Sequence, residues 1–158
     1  MNKKIKTIVF SVLILIVIGI ACSVLLKVST HPYTKVIKKN WQIELPSSGA
    51  RDLYSYSEPS PHGDGIRYHV IDYEIDNGAK RVEASVLQLE KIFDNAQQPT
   101  EDQISYAVQL LQRADIKDAE LPDWTKCKLV YQKQADSSEI FMFYWDGTGT
   151  LYVVESFL

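Results

Sequence analysis

The sequence predicts an α+β domain, ordered ββααβββ over residues 51–158 with an antiparallel sheet, behind an N-terminal transmembrane helix at residues 7–26. Three observations carry this. Thr7 to Leu26 is an unbroken run without a single charge, bounded by Lys6 and Lys27. Two amphipathic helical periods lie between two groups of short β-prone segments, the succession of an α+β fold rather than of alternating βα units. The remaining composition is that of an ordinary globular chain, with 46% hydrophobic and 23% charged among 158 residues.

The apolar run matches the roughly 30 Å hydrocarbon core at about 1.5 Å per helical residue, so it is long enough to span a bilayer. A cleaved secretory signal has a shorter apolar centre followed by small residues in an A-x-A pattern, and no such pattern follows here. Lipidation at Cys22 is the other alternative. Ala21 supplies the small residue before the cysteine, but Gly19 stands where a bulky aliphatic belongs, and Ser23 to Leu26 continue the apolar run. Lys3, Lys4 and Lys6 precede the run and Lys27, Lys35, Lys38 and Lys39 follow it, so flanking charge alone does not set orientation. The short basic start resembles the n-region of a secretory signal. We therefore expect residues 1–6 in the cytoplasm, residues 27–50 as a juxtamembrane stalk and linker, and residues 51–158 outside the cell membrane, with a lipid-anchored or secreted protein as the alternative.

Charge is divided unevenly. Up to Asn40 there are seven lysines and no acid, leaving ten of the 17 basic residues and all 20 acidic ones from Trp41 onward, a net of −10. The one basic stretch flanks the apolar run, which argues against nucleic-acid binding. His31-Pro32 is expected to break the membrane helix. Tyr33 to Trp41 then reads as a short basic turn near the headgroups, and Leu45-Pro46-Ser47-Ser48-Gly49 as a linker.

Residues 51–58 and 66–75 are rich in aromatic and β-branched side chains, and Pro59 to Gly65 between them consists of turn residues, so the pair reads as a hairpin. Val82, Val86, Leu89 and Phe93 form one helical stripe over about 80–94. Thr100-Glu101-Asp102-Gln103 matches a capping box, and Ile104, Val108 and Leu111 continue that second helix to about Arg113. The two helices are expected together on one face of the sheet. Strands are expected at 128–133, 140–145 and 150–157. The middle one is apolar on both faces, Phe141, Phe143 and Trp145 against Ile140, Met142 and Tyr144, which marks a central strand covered twice.

Chemistry-bearing residues are few. His62-Gly63-Asp64-Gly65, with Glu58 close in sequence, is the strongest cluster. A histidine oriented by a carboxylate is the minimum for acid–base work, but on a Gly-flanked turn an Asp most often caps its own backbone. His69 sits in a strand with no evident partner for its second ring nitrogen. Cys127 is the only thiol after residue 22. Lys126 and Lys128 beside it make a slightly lowered pKa conceivable, although a buried small residue is the commoner use of such a position. No nucleophile elbow, phosphate loop, zinc-protease or dithiol motif is present, so no catalytic residue, metal ligand or cofactor is assigned and the chain does not read as an enzyme. Tyr54, Tyr56, Tyr68 and Tyr73 on the first hairpin could form a protein-binding face, since tyrosine gives large contact area at small entropic cost. The candidate binding residues are Tyr54, Tyr56, Glu58, His62 and Asp64.

The succession of an apolar anchor, a strand running into HGDG (His62 to Gly65), the element Leu121-Pro122-Asp123-Trp124 and a closing strand with Gly-Thr-Leu-Tyr-Val-Val-Glu resembles a group of uncharacterised, membrane-anchored or lipoprotein-like proteins of Gram-positive bacteria. It covers roughly residues 45–158. The resemblance implies a location and no mechanism. The functional expectation is an anchored extracytoplasmic binding or interaction module whose partners are the membrane and an envelope or secreted protein. Two alternatives stand beside it: a small ligand-binding or enzymatic site at the His62/Asp64 turn, and immunity to a secreted toxin.

Overall fold

A computed structural model describes residues 32–60, 63–73, 79–117 and 120–158. The expected transmembrane helix at 7–26, Cys22 and His62 lie outside the described residues. Among the described residues no helix is long and apolar enough to cross a membrane.

The first element is a helix, α1 (Pro32–Trp41), where a basic turn and stalk were expected. Pro32 is tolerated at the first helical position because its missing N–H would have no partner there. Tyr33, Ile37 and Trp41 follow at intervals of four and are all buried, with 6%, 0% and 1% exposure. Lys35, Lys38 and Lys39 lie on the solvent side. Lys38 and Lys39 fall in the last turn, where cations suit the helix dipole. Each of the three apolar side chains contributes about 1.5–3 kcal/mol of burial, and this stripe turns a lysine-rich segment into part of the fold. Gln42 ends the helix with φ at 60°. Residues 45–48 then strap the same face: Leu45 is buried, Pro46 O accepts from Tyr73 Oη at 3.1 Å, and Ser48 O accepts from Ser85 Oγ at 2.6 Å. The expected stalk of 27–50 is therefore corrected from Tyr33 onward, and the folded unit runs Tyr33–Leu158 rather than from residue 51.

Five strands follow: β1 (Arg51–Ser57), β2 (Gly65–Asp72), β3 (Lys128–Lys133), β4 (Glu139–Trp145) and β5 (Thr150–Phe157). They form one antiparallel sheet in the order β1-β2-β5-β4-β3. Between β2 and β3 come α2 (Ala79–Ile92), α3 (Glu101–Arg113) and a short 3-10 turn at Trp124–Lys126. The ββααβββ order is as expected, with α1 added in front. Thr100 caps α3, its hydroxyl accepting from Gln103 N while the Gln103 side chain accepts from Thr100 N.

Strand β4 lies between β5 and β3 and is buried along Glu139–Tyr144, matching its two apolar sides. The helices divide between the faces, a correction to their expected placement on one. Leu89 of α2 and Phe93 just beyond its end pack with Tyr33, Ile37 and Trp41 of α1 against Ile71, Met142, Tyr144 and Val153. On the opposite face Ala107, Leu110 and Leu111 of α3 pack against Tyr68, Val70, Phe141, Phe143 and Val154. The Leu121-Pro122-Asp123-Trp124 element joins this second core, with the Trp124 ring set edge-on to Phe143 at 4.7 Å. Two apolar faces need two covers, and α1 helps supply one of them.

Candidate functional site

The β1–β2 hairpin carries most of the residues that matter. At its turn the strand pairing extends one step further, with Glu58 N donating to Ile66 O at 2.9 Å and Ile66 N donating to Glu58 Oε2 at 3.0 Å. Ser60 Oγ donates to the Asp64 carboxylate, and Gly63 N donates to Ser60 O at 3.3 Å. Gly65 adopts φ of +111°, and a Cβ there would lie 2.9 Å from Glu58 Oε2. Only glycine fits the backbone against the carboxylate at this point. Glu58 and Asp64 are thus brought together, and with Ser60, Arg113 and Phe157 they line an open cleft of about 460 Å3. Both carboxylates also hold the turn, Asp64 through Ser60 and Glu58 through Ile66.

The four tyrosines of the hairpin do not share one outward face. Tyr68 and Tyr73 are fully buried, on opposite sides of the sheet. Tyr68 Oη donates to Glu120 O at 2.5 Å. Tyr54 and Tyr56 are half-buried against the α3-side core, Tyr54 tilted over Tyr68 with ring centroids 5.8 Å apart. Tyr54 and Tyr56, two apart in β1, share one face of the strand, and that face turns inward. The large apolar side chain that β1 leaves exposed is Leu53.

Cys127 is 1% exposed, its thiol donates to Asp123 O at 3.5 Å, and burial pushes its pKa up to about 12. That reverses the lowering conceivable from the neighbouring lysines: desolvation of the thiolate outweighs two exposed ammonium groups, and Asp123 and Asp146 add to the rise.

The least expected cluster lies under α1. Glu155 sits in β5 among apolar residues and is fully buried. Its Oε2 accepts from Tyr33 Oη at 2.6 Å and its Oε1 from Trp41 Nε1 at 2.5 Å. Burial, and then the Glu155 charge, hold the Tyr33 hydroxyl well above its ordinary pKa. The Tyr33 ring stacks on His69 with centroids 3.3 Å apart and planes 16° from parallel. His69 is 8% exposed, and its buried Nδ1 has no hydrogen-bond partner among the described residues. Burial, with Arg67 nearby, lowers the His69 pKa to about 4, so the ring is neutral at neutral pH. Arg67 pairs across the strands with Glu155, and its guanidinium carbon lies 4.5 Å from the Phe157 ring centroid. A second cleft of about 450 Å3 opens here, with Lys39, Asn40, Ser57, Arg67 and His69 around the Tyr33 ring. Sequence reasoning passed over Glu155 and Tyr33. The signals were an acid inside an apolar strand and the four-residue spacing of Tyr33, Ile37 and Trp41.

A third cleft, of about 430 Å3, lies beside β3 and is lined chiefly by the amides Asn95, Gln97, Gln98 and Gln103 and by Tyr131. Among the described residues no group of three or more His, Cys, Asp or Glu side chains is placed to hold a metal ion. No family model, curated protein or solved structure matches the chain.

Proposed function

We propose that the protein is a single-pass membrane protein, with its N terminus in the cytoplasm and its α+β domain outside the cell membrane, and that this domain is a binding module. The observation that carries the binding part is the pair of open clefts, about 460 and 450 Å3, that flank the β1–β2 hairpin. Both are of the size that accepts a small ligand or the side chains of a partner. The uncharged run of residues 7–26 supports the anchor, and only residues 27–32 separate it from the folded unit.

Protease added to intact protoplasts carrying the full-length protein should digest the domain and leave the protein's membrane segment in the membrane fraction. A photo-crosslinking residue at Ser57 or Asp64 should capture a partner that one at Gln109, on exposed α3, does not. Protection of the domain from external protease would reverse the orientation, and equal capture at all three positions would remove the hairpin as the binding side. A shorter acylated species, lost on Cys22→Ala, would replace the helical anchor with a lipid.

A second reading, a small-ligand or enzymatic site at the His62/Asp64 turn, is favoured by one observation: Glu58, Asp64 and Arg113 line a single cleft. It requires that Asp64→Asn abolish ligand turnover or binding without unfolding the domain.

A further inference from the structure

We propose that the cleft between α1 and the β1–β2 hairpin is an anion site that takes the phosphate group of a phosphorylated ligand. This deepens the binding-module reading and rests on it. Five side chains able to donate hydrogen bonds converge there: Lys39 and Asn40 from the end of α1, Ser57 from β1, and Arg67 and His69 from β2. Among the described residues no acid lines the cleft. Lys39 and Asn40 bring the end of the lysine-rich start of the chain to this cleft, whereas the chain from Trp41 onward carries a net of −10.

The two cations differ in their surroundings: Lys39 is exposed, and Arg67 stands opposite Glu155 in the β2–β5 register. Among the described residues neither Lys39 nor Arg67 makes an ion pair, whereas Lys38, one residue along the same helix, is paired with Glu44 at 2.6 Å. Arg67 is held in place by the face of Phe157, which fixes its guanidinium without neutralising it. His69 also lines the cleft and is more than nine-tenths buried, its Nδ1 lying inside the fold with no hydrogen-bond partner among the described residues.

Glu155 stands opposite Arg67 in the β2–β5 register. Its two oxygens accept from Tyr33 and Trp41, so both are already hydrogen-bonded within the fold. Asp52 also acts electrostatically on Tyr33, more weakly. A carboxylate has two oxygens for these donors, whereas a phosphate offers three or four, and an arginine fork matches it bidentately. The cleft has room besides for the organic group that carries the phosphate. That phosphate could belong to a lipid headgroup or to a free phosphorylated molecule.

The test uses the full chain in micelles of an uncharged detergent. Isothermal titration with inorganic phosphate should show one site with Kd below about 1 mM, weakening as salt is raised. Arg67→Gln and Lys39→Gln should each weaken it about tenfold or more, Ser57→Ala a few-fold, and Lys35→Gln, on exposed α1 outside the cleft, not at all. Lys39 and Ser57 are exposed, so their variants fold whether or not Arg67→Gln does. Phosphatidylglycerol vesicles that compete with inorganic phosphate would assign the site to a lipid headgroup. Vesicles that leave it unchanged would assign it to a free phosphorylated molecule. Acetate binding as tightly as phosphate, or the same phosphate affinity in wild type, Lys39→Gln and Arg67→Gln, would overturn the proposal. Protease accessibility on protoplasts and crosslinking from Asp64 do not depend on this cleft, so they separate its failure from failure of the anchored binding module.

Discussion

Trp41→Phe isolates the bond that ties α1 to the sheet. Trp41 is 1% exposed, packs in the core shared by α1, α2 and the sheet, and donates through Nε1 to Glu155 Oε1 at 2.5 Å. Phenylalanine keeps most of the apolar volume and removes the donor. Glu155 is then left fully buried with one oxygen unpaired and only Tyr33 as donor. An unsatisfied buried acceptor costs about 1–3 kcal/mol and more when charged, so the expected loss is about 2 kcal/mol. Trp41→Ala adds the cavity left by an indole, for a total of about 5 kcal/mol, which approaches the whole stability of an ordinary domain. Urea unfolding of the 28–158 fragment, followed by circular dichroism, reads both. With a slope of about 1.5 kcal/mol/M, Trp41→Phe should lower the midpoint by about 1 M. In a Glu155→Gln background the same change should cost less, because the neutral amide tolerates an unpaired oxygen better than the carboxylate does. A Trp41→Phe midpoint within about 0.3 M of wild type would refute the role given to the Trp41–Glu155 bond. A Trp41→Ala midpoint equally close would return residues 33–41 to a stalk.

Three other outcomes follow from the same geometry. His69 has a folded pKa of about 4 against 6.5 in a free chain, so it is neutral in both states above pH 6.5 and has no effect there. As pH falls from 6.5 to 4 the unfolded chain takes up a proton that the folded one refuses, and stability drops by about 3 kcal/mol. In phosphate-free buffer His69→Gln should flatten that segment of the stability profile, and an unchanged slope would assign it to other groups. Gly65→Ala should destabilise by more than about 2 kcal/mol, because it combines a positive φ with displacement of Glu58 from Ile66 N, whereas Gly63→Ala, at φ +80° with no atom within 4 Å, should cost only about 1 kcal/mol. Equal losses by thermal unfolding would discount the Glu58 contact. Cys127 in the 28–158 fragment should resist a thiol reagent at pH 8 until denaturant is added, since it is buried and its pKa is about 12. Full labelling of the native fragment would contradict its burial.

Much of the fold was legible because its signals are local. The alternation in β4, the stripe from Val86 and Leu89 to Phe93 just past the end of α2, and the capping box that opens α3 at Thr100 are each local, and each element formed where its pattern placed it. What was missed depends on distance. Whether α2 and α3 share a face is decided by the path of the connections, which neither helical period records. The double-sided β4 did demand two covers, and the second was hidden in a segment whose lysines drew attention from Tyr33, Ile37 and Trp41. Glu155 was illegible for the same reason: its partners lie 122 and 114 residues away, so nothing near it marks a buried acid. At the turn, Glu58 and Asp64 were legible as neighbours in space because the residues between them form a tight loop. Arg113, from a different element, was not.

The strand order also sets when the sheet can exist. β5 lies between β2 and β4, so the pairs β1–β2 and β3–β4 share no ladder without it. While a ribosome is still extending the chain and Thr150–Phe157 has not emerged, there are two separate hairpins, each with one edge awaiting the same missing strand. Glu155 arrives on that strand too, so Tyr33 and Trp41, made more than a hundred residues earlier, have no acceptor until then. Assembly is therefore a late and concerted event, dominated by contacts between distant parts of the chain, and it should be slow for a domain of this size. A chain stopped at Gly149 would present two unfinished edges at once, the state most open to pairing with a neighbouring copy.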